Sequence, residues 1–280
     1  MAVVVVTDSA AGLSADLVAE LGIEVVPLHV LVGDRQLREG VEPVEIDYSA
    51  DSVTTSAASP GELREAYERA MEHSGGDGVV AVHLSRMLSA TWEAGRQAVS
   101  EMGADGRVRL VDSLGAGLAT GLPVLGAARR ARSGDTLDAV YECAVAAANR
   151  ARTFILVNRT EQLRKGGRLS SAAAFFGSEL VTKPLLQLVE GKLELREKVR
   201  TRSRAVTKLV AAATSAAGTE GVALGIQHLG AAEAAESLAT QLREQNPTLT
   251  ELHIAEFGPT LGVHLGVGAL GVAVLPGGCA

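Results

Sequence analysis

The segment 163–170, with the sequence Leu-Arg-Lys-Gly-Gly-Arg-Leu-Ser, has the residue types and spacing of an anion-binding loop. Three cationic side chains, those of Arg164, Lys165 and Arg168, flank two glycines. Glycine backbone adopts positive φ freely and can approach a ligand closely, and Ser170 after the bend is a good N-cap for a helix. A solvated basic loop has the same composition, so the segment alone leaves both interpretations open.

Hydroxyl and carboxyl side chains recur where predicted strands end or, for Thr54, Thr55 and Ser56, just before a predicted helix, and they are the second feature that could do chemistry. In open α/β sheets, ligands bind at the carboxyl ends of the strands. Serine and threonine there offer neutral donors for a carboxylate or a phosphate, and helix N-termini add N–H groups. Each such residue could instead be only a helix cap, but their shared position favours a ligand site. These side chains are Asp8, Ser9, Thr54, Thr55, Ser56, Ser85, Ser89, Thr91, Asp112 and Ser113.

His264 differs from the other five histidines because it lies in a glycine-rich stretch, 262–271, between two predicted strands. Glycines at alternating positions let the backbone approach a ligand, and a histidine there could donate a hydrogen bond to an anion. We interpret the stretch as a glycine turn that presents His264 to a ligand; the alternative is a tight irregular turn whose histidine faces solvent. The other histidines lack metal-ligand spacing, and we expect them to be structural.

A second basic cluster occupies residues 196–204, which include Arg200. A charge run of this kind usually forms a solvated face. In an acidic chain, however, two cationic clusters in the same half could converge on a phosphate or on an acidic partner.

The composition argues against several classes of function. The 280 residues carry a net charge of −7, whereas general binding to nucleic acid needs a basic face. Hydrophobic residues make up 47% but aromatic residues only 3%, so we expect an aliphatic core. Two cysteines and an apolar start without a basic flank favour a cytoplasmic protein. Apolar runs fall short of the roughly 18 residues that span a membrane.

The strand and helix patterns predict an α/β fold of two domains. In residues 1–152, short aliphatic strands alternate with longer helices, which implies a parallel sheet covered on both faces. A hairpin is predicted over 27–41, with Gly33 and Asp34 at its turn. In residues 153–280, an antiparallel hairpin that turns at 190–191 joins helices and further strands, as is typical of an α+β domain.

Taken together, the segments resemble the DegV family of bacterial lipid-binding proteins, which includes the fatty-acid-binding subunits of bacterial fatty-acid kinase. The matching segments follow the family's order over nearly the whole chain, and Leu-Arg-Lys-Gly-Gly-Arg at 163–168 is the most specific. The others are Val-Thr-Asp-Ser at 6–9, Thr-Ser at 55–56, Leu-Ser-Arg-Met-Leu-Ser-Ala-Thr at 84–91, Val-Asp-Ser at 111–113, Lys-Pro at 183–184 with Glu-Gly at 190–191, Val-Arg-Thr at 199–201 and the glycine turn around His264.

The resemblance implies that a long-chain fatty acid, of roughly 16 to 18 carbons, binds in an apolar tunnel between the N-terminal parallel-sheet domain and the C-terminal α+β domain. It implies no cofactor and no catalytic residue in this chain. We expect part of 172–186, with Phe175 and Phe176, to line the tunnel. The implied ligand-binding residues are Asp8, Thr55, Ser56, Ser89, Thr91, Ser113 and His264.

The resemblance also implies a partner. A separate kinase subunit would dock on the binder and phosphorylate the bound acid, and the acyl phosphate would leave for phospholipid synthesis. Arg168, Arg200 and Lys165 would then face this partner or the incoming phosphate rather than set lipid affinity. Transient contact with a membrane is compatible with this role, and nucleic acid is not expected as a partner.

The chain departs from the family pattern near the expected head group. Ala57 and Ala58 replace a Gln-Pro pair, Ala90 stands where glycine is usual, and Leu265 and Val267 replace a threonine and a proline. These departures bear on the detail of hydrogen bonding to the carboxylate.

A second hypothesis is an enzyme that acts on a small anionic metabolite. In that case His264 would serve as acid or base, and Arg168 and Arg200 would clamp the anion.

Overall fold

The structure, a computed structural model, describes residues 2–43, 46–48, 50, 52–158, 160–169 and 182–279. Its strands are β1 (Val4–Asp8), β2 (Glu24–Val26), β3 (His29–Val32), β4 (Arg35–Arg38), β5 (Val53–Ser56), β6 (Val79–His83), β7 (Val108–Asp112), β8 (Arg152–Leu156), β9 (Lys183–Val189), β10 (Lys192–Val199), β11 (Val222–His228), β12 (Leu249–Glu256) and β13 (Leu270–Pro276). Its helices are α1 (Ala15–Leu21), α2 (Pro60–Ser74), α3 (Thr91–Met102), α4 (Leu118–Arg132), α5 (Leu137–Arg150), α6 (Glu161–Lys165), α7 (Arg202–Ala217), α8 (Ala232–Gln245) and α9 (Pro259–Leu265). Within these ranges, no helix combines the length and the apolar character that crossing a membrane requires.

The first sheet is parallel, with the strand order β2-β1-β6-β7. All five residues of β6 are buried, because helices cover both faces of the sheet. Val79 and Ala81 belong to a core cluster with α2 and α3, whereas Val80 and Val82 pack with α4 and α5. The prediction of a covered parallel sheet in the first half is therefore confirmed.

A small antiparallel sheet, in the order β4-β3-β5, extends from the first half. Its β3–β4 hairpin turns at Gly33, as the sequence predicts, with a φ of 59°. The sequence predicts a helix after Thr54, Thr55 and Ser56 but no strand over these residues. They lie on β5, where Thr55 pairs with Val30 of β3. This pairing fixes the direction in which the Thr55 side chain points.

The second sheet has six strands in the order β10-β9-β8-β13-β11-β12. Strands β11 and β12 are parallel, and the other neighbours are antiparallel. Glu190 and Gly191 join β9 to β10 with positive φ angles of 49° and 77°, as in a tight hairpin turn. Helices α7 and α8 pack on one face, so the predicted α+β arrangement of the second half is confirmed.

The glycine-rich stretch around His264 is partly helical, which corrects the prediction of a turn. Helix α9 begins with Pro259 at its first helical position and ends at Gly266. Gly262 lies inside this helix, and the absence of a side chain lets the helix pack closely on Tyr48, because a Cβ at position 262 would come within 2.6 Å of the Tyr48 ring. Gly262 therefore allows close packing of a helix. The alternating glycines of the stretch 262–271, taken from the sequence alone, indicate a turn instead.

Helix α4 joins the two halves into a continuous core. Twelve of its residues are buried, and its cluster includes Val5 of the first sheet as well as Ala223 and Leu275 of the second. Gly225 of β11 leaves room for the start of α4, because a Cβ at position 225 would lie only 2.5 Å from the Cβ of Leu118. The division into two domains at residue 152, where β8 begins, remains our proposal.

Candidate ligand-binding cavity

An apolar cavity of about 140 Å³ lies between the two halves of the molecule. The first half contributes aliphatic side chains from the strand ends and the loops that follow them, and the second half contributes others from its sheet and α9. These aliphatic residues include Leu28, Leu84, Leu88, Ile155, Leu188 and Leu193. Such walls suit a hydrocarbon chain, since apolar surface gains about 25 cal/mol for each Å² removed from water.

Polar side chains from both halves line the same cavity. Thr55 and Ser56 come from β5, Ser89 precedes α3, and Arg168 follows α6. His264 reaches the cavity from α9, and its Nε2 lies 2.8 Å from the Thr55 hydroxyl. The structure therefore brings together four of the predicted ligand-binding residues and one residue that was predicted to face a partner.

His264 is neutral at pH 7 in this environment. Burial, and secondarily the positive charge of Arg168, lower the pKa of His264 to about 4. A neutral imidazole has one donor and one acceptor nitrogen, so the ring can accept from Thr55 or donate to it. Gly166 packs against the other nitrogen, because a Cβ at Gly166 would lie 3.0 Å from Nδ1.

Arg168 lies at the cavity, and the backbone orients its guanidinium. Its Nε donates to the Leu88 carbonyl at 3.2 Å, and its Nη1 donates to the Gly166 carbonyl. It lines the cavity together with His264, and its positive charge contributes, after burial, to the lowered pKa of that histidine. The geometry therefore associates Arg168 with the polar end of the cavity.

The three predicted partner-facing cations do not form one cluster. Lys165 lines a recess of about 370 Å³ that shares Thr55, Arg168 and His264 with the apolar cavity. Arg200 is exposed and lines a separate cleft between β10 and α7. The structure thus does not bring Arg168 and Arg200 together.

Ser89 and Thr91 form a local pair. Their hydroxyl oxygens lie 2.9 Å apart, and the Thr91 N–H donates to the Ser89 hydroxyl at 3.3 Å. Ser89 lines the cavity, whereas Thr91 is fully buried behind it. Thr91 therefore supports Ser89 at the start of α3.

Asp8 is fully buried behind the cavity wall and does not line the cavity. Its Oδ2 accepts from the Leu84 N–H at 2.9 Å and lies 3.0 Å from Nδ1 of His83. The His83 Nε2 lies 2.7 Å from the Tyr67 hydroxyl. Asp8 thus holds the loop that begins at Leu84, and we do not carry it into the proposed ligand contacts.

Ser113 is also buried and does not line the cavity. Its hydroxyl lies 2.8 Å from that of Thr120 and donates to the Gly115 carbonyl. The hydroxyl is thus engaged within the protein, as expected for a buried polar group.

The sequence analysis missed the contribution of α9 beyond His264. Thr260, Leu261 and Leu265 also line the cavity. Residues four apart share a helix face, so Leu261 lies beside Leu265, and Thr260 beside His264. Pro259 and Gly266 mark the two ends of a helix and were the signal that could have revealed it.

The predicted tunnel segment is described only in part. Phe175 and Phe176 lie outside the described residues, as do all positions from 170 to 181. Of the remainder, Leu185 and Leu186 on β9 are fully buried. Their predicted role in lining a tunnel stays a prediction.

Comparison with known proteins identifies the family. A sequence model of the DegV family, described as uncharacterised proteins, matches residues 2–277. A DegV domain-containing protein of Mycobacterium tuberculosis is 41% identical over 274 residues, which cover 98% of this chain and 97% of that protein.

Two solved structures share the fold over their full length. A DegV family protein from Corynebacterium glutamicum has a TM-score of 0.88 at 35% identity, with 100% of both chains covered. A DegV family protein from Thermus thermophilus, whose structure is described as showing fatty acid binding, has a TM-score of 0.91 at 29% identity and covers 99% of this chain and 100% of its own. This chain belongs to the DegV family.

Proposed function

We propose that this protein binds a long-chain fatty acid, of roughly 16 to 18 carbons, in the cavity between its two halves. The carboxylate lies at the polar end with Thr55, Ser56, Ser89 and His264, and the chain extends among the leucines. The observation that carries the proposal is the contact between His264 and Thr55 at one side of a cavity whose other walls are mostly aliphatic. Fatty acid binding by the Thermus thermophilus relative supports it.

The energetics fit such a ligand. Burial of about 14 methylenes is favourable by about 11 kcal/mol, at about 0.8 kcal/mol each, and the entropy lost on binding offsets a good part of this. A buried carboxylate needs hydrogen-bond donors and a compensating charge. The hydroxyls, the neutral imidazole and the Arg168 guanidinium supply them.

We further propose that the bound acid is presented to a separate kinase and leaves as an acyl phosphate for phospholipid synthesis. The recess beside the cavity supports this, since it contains Lys165 and adjoins the carboxylate position through Thr55 and His264. Arg168 and Lys165 would face the incoming phosphate. The protein itself is non-catalytic in this proposal and acts in the cytoplasm, with at most transient contact with a membrane.

The cleft around Arg200 is the proposed kinase-docking surface. Besides Arg200, it is lined by the cationic residues Lys198, Arg204 and Lys208, against a single carboxylate, Glu197. The ammonium of Lys208 lies 3.3 Å from that carboxylate. The net positive charge in an acidic chain favours an acidic partner surface.

Native mass spectrometry of the purified protein tests the binding function. We expect a co-purifying mass in the fatty-acid range, with one ligand bound per chain. An empty protein that turns over a soluble metabolite would instead establish the enzyme hypothesis. No observation favours that hypothesis at present, because Arg168 and Arg200, its proposed anion clamp, line different clefts.

A further inference from the structure

Glu39 is a buried carboxylate that connects distant parts of the chain. It directly follows β4 and is 5% exposed. Its Oε1 accepts from the backbone N–H of Thr260 at 3.1 Å, although 221 residues separate them. Its Oε2 accepts from the Ser9 hydroxyl at 2.5 Å. Glu39 thus joins the end of β1 to the first turn of α9.

Helix α9 depends on a carboxylate from elsewhere in the chain, because its own N-terminal residues cannot cap it. The N-cap, Gly258, has no side chain, and Pro259 has no N–H, so Thr260 carries the first N–H of the helix. Glu39 accepts this hydrogen bond, and a negative charge is favourable near a helix N-terminus. The glycine leaves room for this contact, because a Cβ at Gly258 would lie 2.0 Å from the Glu39 Oε1 and would displace the carboxylate from its present position.

The same contacts connect α9 to the cavity wall. Ser9, which donates to Glu39, also accepts from the N–H of Leu28 at 3.0 Å, and Leu28 lines the cavity. His264 lies one helical turn beyond Thr260. A tilt or shift of the first turn of α9 would therefore move the imidazole ring of His264 relative to Thr55.

We propose that Glu39 is a positioning residue for His264: by holding the first turn of α9 against Ser9, it sets the distance between His264 and Thr55 at the polar end of the cavity. Glu39 does not line the cavity and acts on the ligand only through the helix. The effect on affinity rests on the proposed fatty-acid function, whereas the effect on the geometry of His264 does not.

A double-mutant cycle tests whether Glu39 acts through His264. The affinity for palmitic acid is measured for the wild type, Glu39→Gln, His264→Asn and the double variant. We expect Glu39→Gln to weaken binding roughly tenfold in the wild type, with little further loss in the His264→Asn background. Equal losses in both backgrounds would show a general structural effect and overturn the proposal.

A control variant separates positioning from loss of stability. Asn246 is 4% exposed, hydrogen-bonded to the Leu242 carbonyl and outside the cavity lining. We expect Asn246→Ala to lower the melting temperature but to leave palmitic acid affinity unchanged. If Glu39→Gln does not fold, Ser9→Ala enters the same cycle, since it removes the hydroxyl that donates to Glu39 and accepts from the Leu28 N–H.

NMR of the ligand-free protein provides the second measurement. The Cε1–H resonance of His264, assigned by comparison with His264→Asn, should shift in Glu39→Gln, and its pKa should rise from about 4 as the ring leaves its buried position. Loss of the Glu39 charge alone would lower that pKa instead. An unchanged resonance would overturn the proposal, whereas wild-type protein that binds no fatty acid would count only against the proposed function.

Discussion

The Nε2 atom of His264 lies 2.8 Å from the hydroxyl of Thr55, although 209 residues separate the two in the chain. One residue is on α9 of the second half, and the other is on β5 in the small sheet of the first half. The polar end of the cavity therefore exists only when the two halves are packed together. Under the proposed function, ligand binding and the packing of the halves are therefore interdependent.

Loss of the hydroxyls should weaken fatty-acid binding. In Thr55→Ala with Ser89→Ala, the carboxylate loses two donors, and we expect a loss of about 1–3 kcal/mol in binding free energy. Isothermal titration with palmitic acid measures the effect. Thr240→Ala is a matched control, because the Thr240 hydroxyl is exposed and donates to the backbone carbonyl of Glu236 within α8. Unchanged affinity in the double variant would refute the assigned head-group site.

The depressed pKa of His264 should make stability depend on pH. In the unfolded chain its pKa is 6.5, whereas in the folded protein it is about 4. Between these values the unfolded state binds more protons, so stability falls as the pH drops from 6.5 towards 4. The contribution is on the order of 3 kcal/mol.

Chemical unfolding of the wild type and of His264→Asn across this pH window isolates the effect, since the other titrating groups are common to both proteins. We expect the stability difference between them to change in favour of the variant as the pH falls. A difference that stays constant from pH 7 to pH 4 would contradict a buried neutral imidazole.

The two adjacent glycines of the basic loop should differ in their sensitivity to alanine. Gly166 has a φ of −72°, which any residue adopts, but its Cβ would lie 3.0 Å from His264 Nδ1. Gly167 has a φ of 69° and open space around it. We expect Gly166→Ala to weaken palmitic acid binding, whereas Gly167→Ala should cost about 1 kcal/mol of stability through backbone strain.

Titration and thermal unfolding of both glycine variants check this contrast. If Gly166→Ala bound palmitic acid like the wild type, close packing of this loop on His264 would not matter for the site.

The two arginines that were predicted to act alike should have separable effects. Arg168 lines the cavity, so Arg168→Gln should weaken fatty-acid binding and raise the pKa of His264. Arg200→Ala should leave binding unchanged and reduce acyl-phosphate formation with a cognate kinase. Exposed charges are screened with a Debye length of about 8 Å, so added salt should diminish the difference between wild type and Arg200→Ala.

Equilibrium binding and a coupled kinase assay at two salt concentrations check both expectations. Loss of lipid binding in a folded Arg200→Ala protein would make Arg200 a head-group ligand, which its place in a separate cleft opposes.

The sequence predicts elements whose pattern is local. The run Val79–His83 is apolar in every residue but the last. Such a run is typical of a strand in a parallel sheet that is buried on both faces, and β6 is such a strand. The hairpin at Gly33 is predictable because its turn needs a residue that adopts positive φ. In both cases the residues themselves carry the information.

Other features depend on contacts that the sequence does not reveal. Strand β5 is only four residues long, and its pairing with β3, where Thr55 lies opposite Val30, determines the face to which the Thr55 side chain points. Asp8 is the last residue of β1 and Ser113 directly follows β7, so both lie at strand ends, but their side chains point into the protein, towards Leu84 and Thr120. Position at a strand end predicts proximity to a site, whereas the direction of the side chain depends on the packing around it.

A crystal structure of the protein grown with palmitic acid tests the central claim most directly. We predict one acyl chain in the cavity, with its carboxylate within hydrogen-bond distance of Thr55 and His264 and its methylenes along Leu88 and Leu188. Palmitic acid bound elsewhere on the molecule, or a carboxylate at the far end of the cavity from His264, would contradict the account.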